Sequence, residues 1–90
     1  MEGTPFQISV WEALKTIPRG ETRTYLEIAE LIGRPKAARA VANAIGKNPY
    51  APEIPCYRVV RTDGSLGGYS GPGGIKTKIR LLREEGVFRY

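Results

Sequence analysis

The chain contains no histidine and a single cysteine, Cys56. Those two scarcities exclude an internal disulfide, a zinc site of cysteine and histidine ligands, and a cysteine nucleophile activated by a histidine of this chain. No metal site or cofactor is therefore expected. Long apolar runs are missing as well: none approaches the ~18 residues of a membrane span. The start, Met1-Glu2-Gly3-Thr4-Pro5, lacks the basic and apolar regions of a signal peptide. These absences predict a soluble, intracellular protein with no membrane partner. Acid is scarce in the middle of the chain, where Arg34, Lys36, Arg39, Lys47, Arg58 and Arg61 face only Glu53. The net charge of +5 is thus concentrated around the cysteine, which suits either a polyanionic partner or a solvated basic surface. Ninety residues make one domain, at a size where folding buries only about 60% of the unfolded surface.

What is present reads as a series of short helices. Thr4-Pro5-Phe6-Gln7 is a capping box with proline at the first helical position; Val10, Leu14 and Ile17 mark an apolar face, with Trp11 beside it. Pro18-Arg19-Gly20 ends that segment. Thr24-Tyr25-Leu26-Glu27 is a second capping box, and Tyr25, Ile28, Ala29 and Ile32 recur at helical spacing before Gly33. Pro35 then suits the first position of a third helix running to about Ile45 or Gly46. Two short helices around a glycine turn outline a helix-turn-helix, although many helical hairpins bind nothing.

The faces of the third helix differ. Ala37, Val41, Ala44 and Ile45 fall on a core side, while Lys36, Arg39, Asn43 and Lys47 form a polar stripe without acid. Ala40, Ala42 and Gly46 beside it would let the helix approach a nucleic-acid groove. Asn48-Pro49 signals a turn. The apolar run Ile54-Pro55-Cys56-Tyr57-Arg58-Val59-Val60 reads as a buried strand, which would put Arg58 on the same side as Cys56. A lone cysteine is as readily a small core residue as a reactive one. Thr62–Ser65 predicts a turn, and the glycine-rich Leu66–Gly74 either a binding loop or a linker. A last helix is predicted from Ile75 to Glu85, with Ile75, Ile79 and Leu82 inward, Lys76, Lys78, Arg80 and Arg83 outward, and Gly86 ending it.

The ordered motifs Thr4-Pro5-Phe6-Gln7, Ile17-Pro18-Arg19-Gly20, Thr24-Tyr25, Ala37-Ala38-Arg39-Ala40-Val41, Asn48-Pro49, Ile54-Pro55-Cys56, Arg58-Val59-Val60, Gly68-Tyr69-Ser70-Gly71 and Glu85-Gly86 resemble the C-terminal, active domain of the O6-alkylguanine-DNA alkyltransferases and their alkyltransferase-like relatives. The resemblance covers nearly the whole chain. It implies a mostly α fold with a short β element, a single winged helix-turn-helix domain spanning residues 1–90 with no separate N-terminal domain. It further implies a monomer that enters the minor groove of double-stranded DNA, flips an alkylated guanine and transfers the alkyl group irreversibly to Cys56. Arg39 would fill the vacated space and Tyr25 would crowd the neighbouring phosphate, with Thr24, Lys36, Ala37 and Asn43 as further DNA contacts. Tyr69, Ser70, Gly71, Pro55 and Val59 would form the base pocket. Asn48 would brace the active-site loop, and Glu85 would end a proton network through the residue after the cysteine.

That residue is Tyr57, where the family's transferases carry histidine. A phenol of pKa near 10 is a poor proton acceptor at neutral pH, so slower transfer is expected. The alkyltransferase-like relatives consist of little more than this domain, bind without chemistry, and bring in nucleotide excision repair proteins as partners. They generally replace the cysteine, which this chain keeps. A regulator reading sequence in the major groove through Arg39 and Asn43 is a further alternative, but it gives the thiol-centred half of the chain no use.

Overall fold

Two reciprocal caps start the first two helices. In this computed structural model, which describes residues 1–69 and 71–90, the Thr4 hydroxyl accepts from the Gln7 backbone N–H at 3.1 Å, while Gln7 Oε1 accepts from the Thr4 N–H at 2.9 Å. This satisfies backbone donors that a helix start otherwise leaves bare, and α1 runs over Pro5–Leu14. Thr24 and Glu27 repeat the arrangement at the head of α2, Tyr25–Leu31.

Gly33 follows with a φ of 77°, a value costly for any side chain. The third helix does not begin at Pro35 as expected. Arg34 turns back to Ala29 O, Ala37 N–H bonds Arg34 O at 2.9 Å, and α3 spans Ala38–Gly46. Proline's fixed φ suits the second position of a turn as well as a helix start, and here the turn prevails. The pair α2 and α3 is the helix-turn-helix, and α1 packs against both. Val10, Leu14, Ile28 and Val41 are fully buried between them, and Trp11 Nε1 donates to Ala44 O at 2.9 Å, tying α1 to the C-terminal half of α3.

The β element is short, as the sequence suggested. β1, Arg23–Thr24, pairs in parallel with β2, Val59–Val60, so Arg23 lies opposite Val59 and Thr24 opposite Val60. That pairing carries the segment just after the cysteine to the start of α2. The rest of the predicted strand is not one. Ile54, Pro55, Cys56 and Tyr57 are all buried, leaving no two-faced alternation. The Cys56 N–H turns back to Ile54 O and the Arg58 N–H to Pro55 O, so Cys56–Arg58 forms a single 3-10 turn.

The last helix, α4, spans Gly74–Glu84, and Gly86 ends it with a φ of 91°. Its orientation differs from expectation. Ile75 is exposed and Lys78 is fully buried, because the apolar stripe through Leu82 continues at i−4 to Lys78. Among the described residues, no helix is long and apolar enough to cross a membrane.

Candidate active site around the buried thiol

The thiol is placed by its flanking residues. Pro55, at φ −80° and ψ 64°, is the centre of an inverse γ-turn closed by the 2.8 Å bond from Cys56 N–H to Ile54 O. The buried Asn48 holds the approach from the other side. Its Nδ2 donates to Ile54 O at 3.1 Å, and its Oδ1 accepts from the Tyr50 N–H at 2.9 Å. Cys56 is only 3% exposed, yet it lies on the wall of a 270 Å³ pocket open to solvent. Ala42, Ile45 and Gly46 of α3 form one side of that pocket, Gly68 and Tyr69 another, and Tyr25 completes it. The small residues of α3 leave the space beside the sulfur empty. Burial pushes the thiol pKa up, and the Asn48 amide and the Lys78 ammonium offset part of that rise.

Behind the thiol lies a carboxylate with every lone pair engaged. Glu85 Oε1 accepts from Arg58 Nε at 2.9 Å and from the Gly20 N–H at 3.2 Å. Its Oε2 accepts from Arg58 Nη2 at 2.7 Å and from the Tyr57 hydroxyl at 2.6 Å. The Arg58 pair is a fork-to-fork contact, and the third guanidinium nitrogen donates to Ile17 O at 2.8 Å. Burial alone would raise the Glu85 carboxyl, but Arg58, Tyr57 and the Gly20 N–H outweigh it and hold the pKa at about 2. Tyr57 moves the other way, to about 12, through burial and the bond to Glu85. Neither group accepts a proton at neutral pH.

Arg58 is thus not beside the sulfur. In a strand it would share the face of Cys56, but two steps of a 3-10 turn rotate it by about 240°, toward Glu85. The cation on the thiol side is Lys78. Its Nζ donates to Val59 O at 2.7 Å, Leu66 O at 2.8 Å and Gly68 O at 3.0 Å. The signal for it was in the sequence: a lysine four residues before Leu82 falls on the same helix face as that leucine, not on the outer face.

The other expected site residues divide by location. Lys36 and Arg39 are exposed and Ala37 is half-buried, at and before the start of α3, and Asn43 is exposed in the second half of the helix. The Thr24 hydroxyl is engaged by the cap of α2. Tyr69 lines the pocket and Gly71 makes room for it, since a Cβ at Gly71 would collide with the hydroxyl end of the Tyr69 ring. Pro55 and Val59 are buried away from the pocket lining, Pro55 shaping the turn and Val59 offering its carbonyl to Lys78. Tyr57 faces Glu85 instead of the pocket. Ser70 lies outside the described residues. Ala42, Ile45, Gly46 and Gly68 line the pocket without having been singled out for it; what marked three of them was small size on α3 and in the glycine-rich segment.

Known proteins share much of the sequence and the fold. A methylated-DNA–protein-cysteine methyltransferase of Methanosarcina acetivorans is 56% identical over 85 residues, which cover 94% of this chain and 53% of that protein. The crystal structure of Mycobacterium tuberculosis OGT in complex with DNA superposes with a TM-score of 0.89 at 55% identity, over 94% of this chain and 51% of that one. Schizosaccharomyces pombe Atl1, solved with damaged DNA containing O6-carboxymethylguanine, aligns with a TM-score of 0.81 at 31% identity, over 96% of this chain and 80% of that one. The chain spans about half the length of the methyltransferases it matches here. The family described as 6-O-methylguanine DNA methyltransferase, DNA binding domain, matches residues 5–87, and the chain belongs to that family.

Proposed function

We propose that this domain binds duplex DNA through α3, receives an alkylated guanine swung out of the helix, and takes the alkyl group onto Cys56. The observation that carries this reading is the pocket: a sulfur almost wholly shielded from bulk water, yet opening toward the helix that presents Arg39 and Asn43. Extracting a base costs a few kcal/mol, and a long exposed guanidinium such as Arg39 suits the space left behind. In the transfer step the Cys56 thiolate attacks the alkyl carbon. The S–C bond forms as the C–O6 bond breaks, the electron pair stays on the guanine, which takes up a proton, and the thiol proton leaves to solvent. Sulfur ends as a thioether, so each molecule acts once.

Neither Glu85 nor Tyr57 relays the proton, since Glu85 is saturated and Tyr57 is its donor. Transfer therefore depends on the thiolate fraction that the local charges allow, and it is slower than with a histidine at residue 57. Mixing the protein with duplex containing O6-methylguanine and measuring intact mass tests the reading. One methyl added to the protein, and none to Cys56→Ala, is expected; no adduct after hours with excess DNA excludes transfer. In that case the saturated carboxylate and the raised thiol pKa favour a second reading, a sensor that binds alkylated guanine without chemistry. It would show preference for the alkylated duplex over the normal one. Either way, about three to five phosphate contacts give a log–log salt slope of roughly −3 to −4. Arg39→Ala weakens binding about tenfold with the fold intact, a loss of the size expected for one base-edge or gap-filling contact.

A further inference from the structure

Lys78 is a fully buried cation, and none of the ion pairs among the described residues includes it. Its three N–H donors meet three carbonyls, Val59 at the end of the cysteine segment and Leu66 and Gly68 in the loop that carries Tyr69. A neutral amine has only two N–H bonds, so three acceptors select the ammonium. Burying a charge with carbonyl dipoles alone is expensive, and fixed structure is what makes it persist. The titratable groups around the thiol and this ammonium are Cys56 on the 3-10 turn, Arg61 after β2, Tyr25 on α2, Tyr69 in the loop and Arg80 on α4. None of these is a carboxylate, and only Cys56 and the two tyrosines can become anions. Burial raises all three, and the thiol starts lowest, which leaves Cys56 as the anion available to Lys78.

We propose that Lys78 is the positioning residue of the thiol site: its ammonium pins residues 66–68 over the pocket and, at neutral pH where it keeps its proton, is the charge against which Cys56 ionises. Arg58 is unavailable for that role because Glu85 holds it. The inference deepens the transferase reading, but its test needs neither DNA nor an alkylated base, so the two fail separately. Iodoacetamide, which reacts with thiolate, reports the Cys56 ionisation directly when its rate is followed from pH 6 to 10. Lys78→Met should lower the rate at pH 7 by about tenfold and move the profile up by about one pH unit. Lys78→Arg, which keeps the charge, should recover most of the difference. A folded Lys78→Met protein with the wild-type profile overturns the proposal. Should that variant not fold, the same coupling is read from the other partner, by following the Lys78 side-chain carbon by NMR titration in wild type and in Cys56→Ala. Linkage is reciprocal, so the lysine midpoint should fall when the thiol is removed; an unchanged midpoint overturns the proposal equally.

Discussion

Two buried charges flank the same 3-10 turn, and they are stabilised in opposite ways. Glu85 on one side receives four donors, including a guanidinium, and its side chain is 2% exposed. Lys78 on the other side donates to three carbonyls and, among the described residues, to no carboxylate. A carboxylate that is fully matched has nothing left to offer a reaction. An ammonium held only by dipoles still has its net charge unanswered, and the thiol is the group proposed to answer it. With tyrosine at residue 57 bonded to Glu85, the carboxylate side serves as scaffold, and the proposed chemistry falls to the lysine side.

The largest effect that sharpens this contrast is Glu85→Ala. It strands Arg58 and the Tyr57 hydroxyl in a buried place and should destabilise the fold by about 3–5 kcal/mol in urea unfolding. Lys78→Met keeps the volume and loses only hydrogen bonds to carbonyls, so its cost should be smaller, about 1–3 kcal/mol. Equal losses would break the comparison.

Tyr57→His comes next, because it places a group of pKa near 6.5 against Glu85 and should accelerate alkyl transfer by about a hundredfold in single-turnover assays. An unchanged rate would mean that the carboxylate side contributes no chemistry even with histidine present.

The two charges also predict different pH windows. Glu85 has a folded pKa of about 2 against 4.5, so its stabilisation, on the order of 3 kcal/mol, is complete above pH 4.5 and is lost as pH falls through 2. Burial outweighs the three carbonyl bonds and brings Lys78 to a folded pKa of about 8 against 10.5, so the ammonium is present at neutral pH but is the form that folding penalises. That penalty is full below pH 8 and is relieved as pH rises toward 10.5. Wild-type stability relative to Lys78→Met should therefore rise with pH above 8, read from paired urea melts that cancel the tyrosines common to both. The smallest effect expected is from Gly71→Ala, which displaces the Tyr69 ring and should weaken retention of the alkylated base by a few-fold, measured by competition between alkylated and normal duplexes.

The parts of the fold legible in the sequence are those fixed locally. Both capping boxes read directly, because the threonine and its partner lie three residues apart. The start of α3 did not, since Pro35 fits a turn and a helix start equally and only packing decides. The cysteine segment misled for the same reason that it matters: Ile54–Tyr57 is buried on all sides, and an apolar run without alternation does not distinguish a strand from a compact turn. Within the site, Asn48 and Tyr69 were identifiable as residue types in loops. The partnership of Arg58 with Glu85 joins residues 27 apart in sequence and needed three dimensions. Lys78 was hidden by the habit of assigning lysines to solvent.

The bond from Trp11 to Ala44 has one more consequence. It clamps α3 near the end that runs through Asn48 into the thiol loop, while Arg39 stands at the other end. From Arg39 to the pocket wall at Ala42 and Gly46 is a rise of roughly 5–10 Å along the helix, and a braced rod of that length behaves as a gauge block. In the proposed complex, it sets how far a guanine has to travel between leaving its stack and meeting sulfur. A nucleotide that merely tilts falls short, so the gauge itself rejects bases that have not come all the way out.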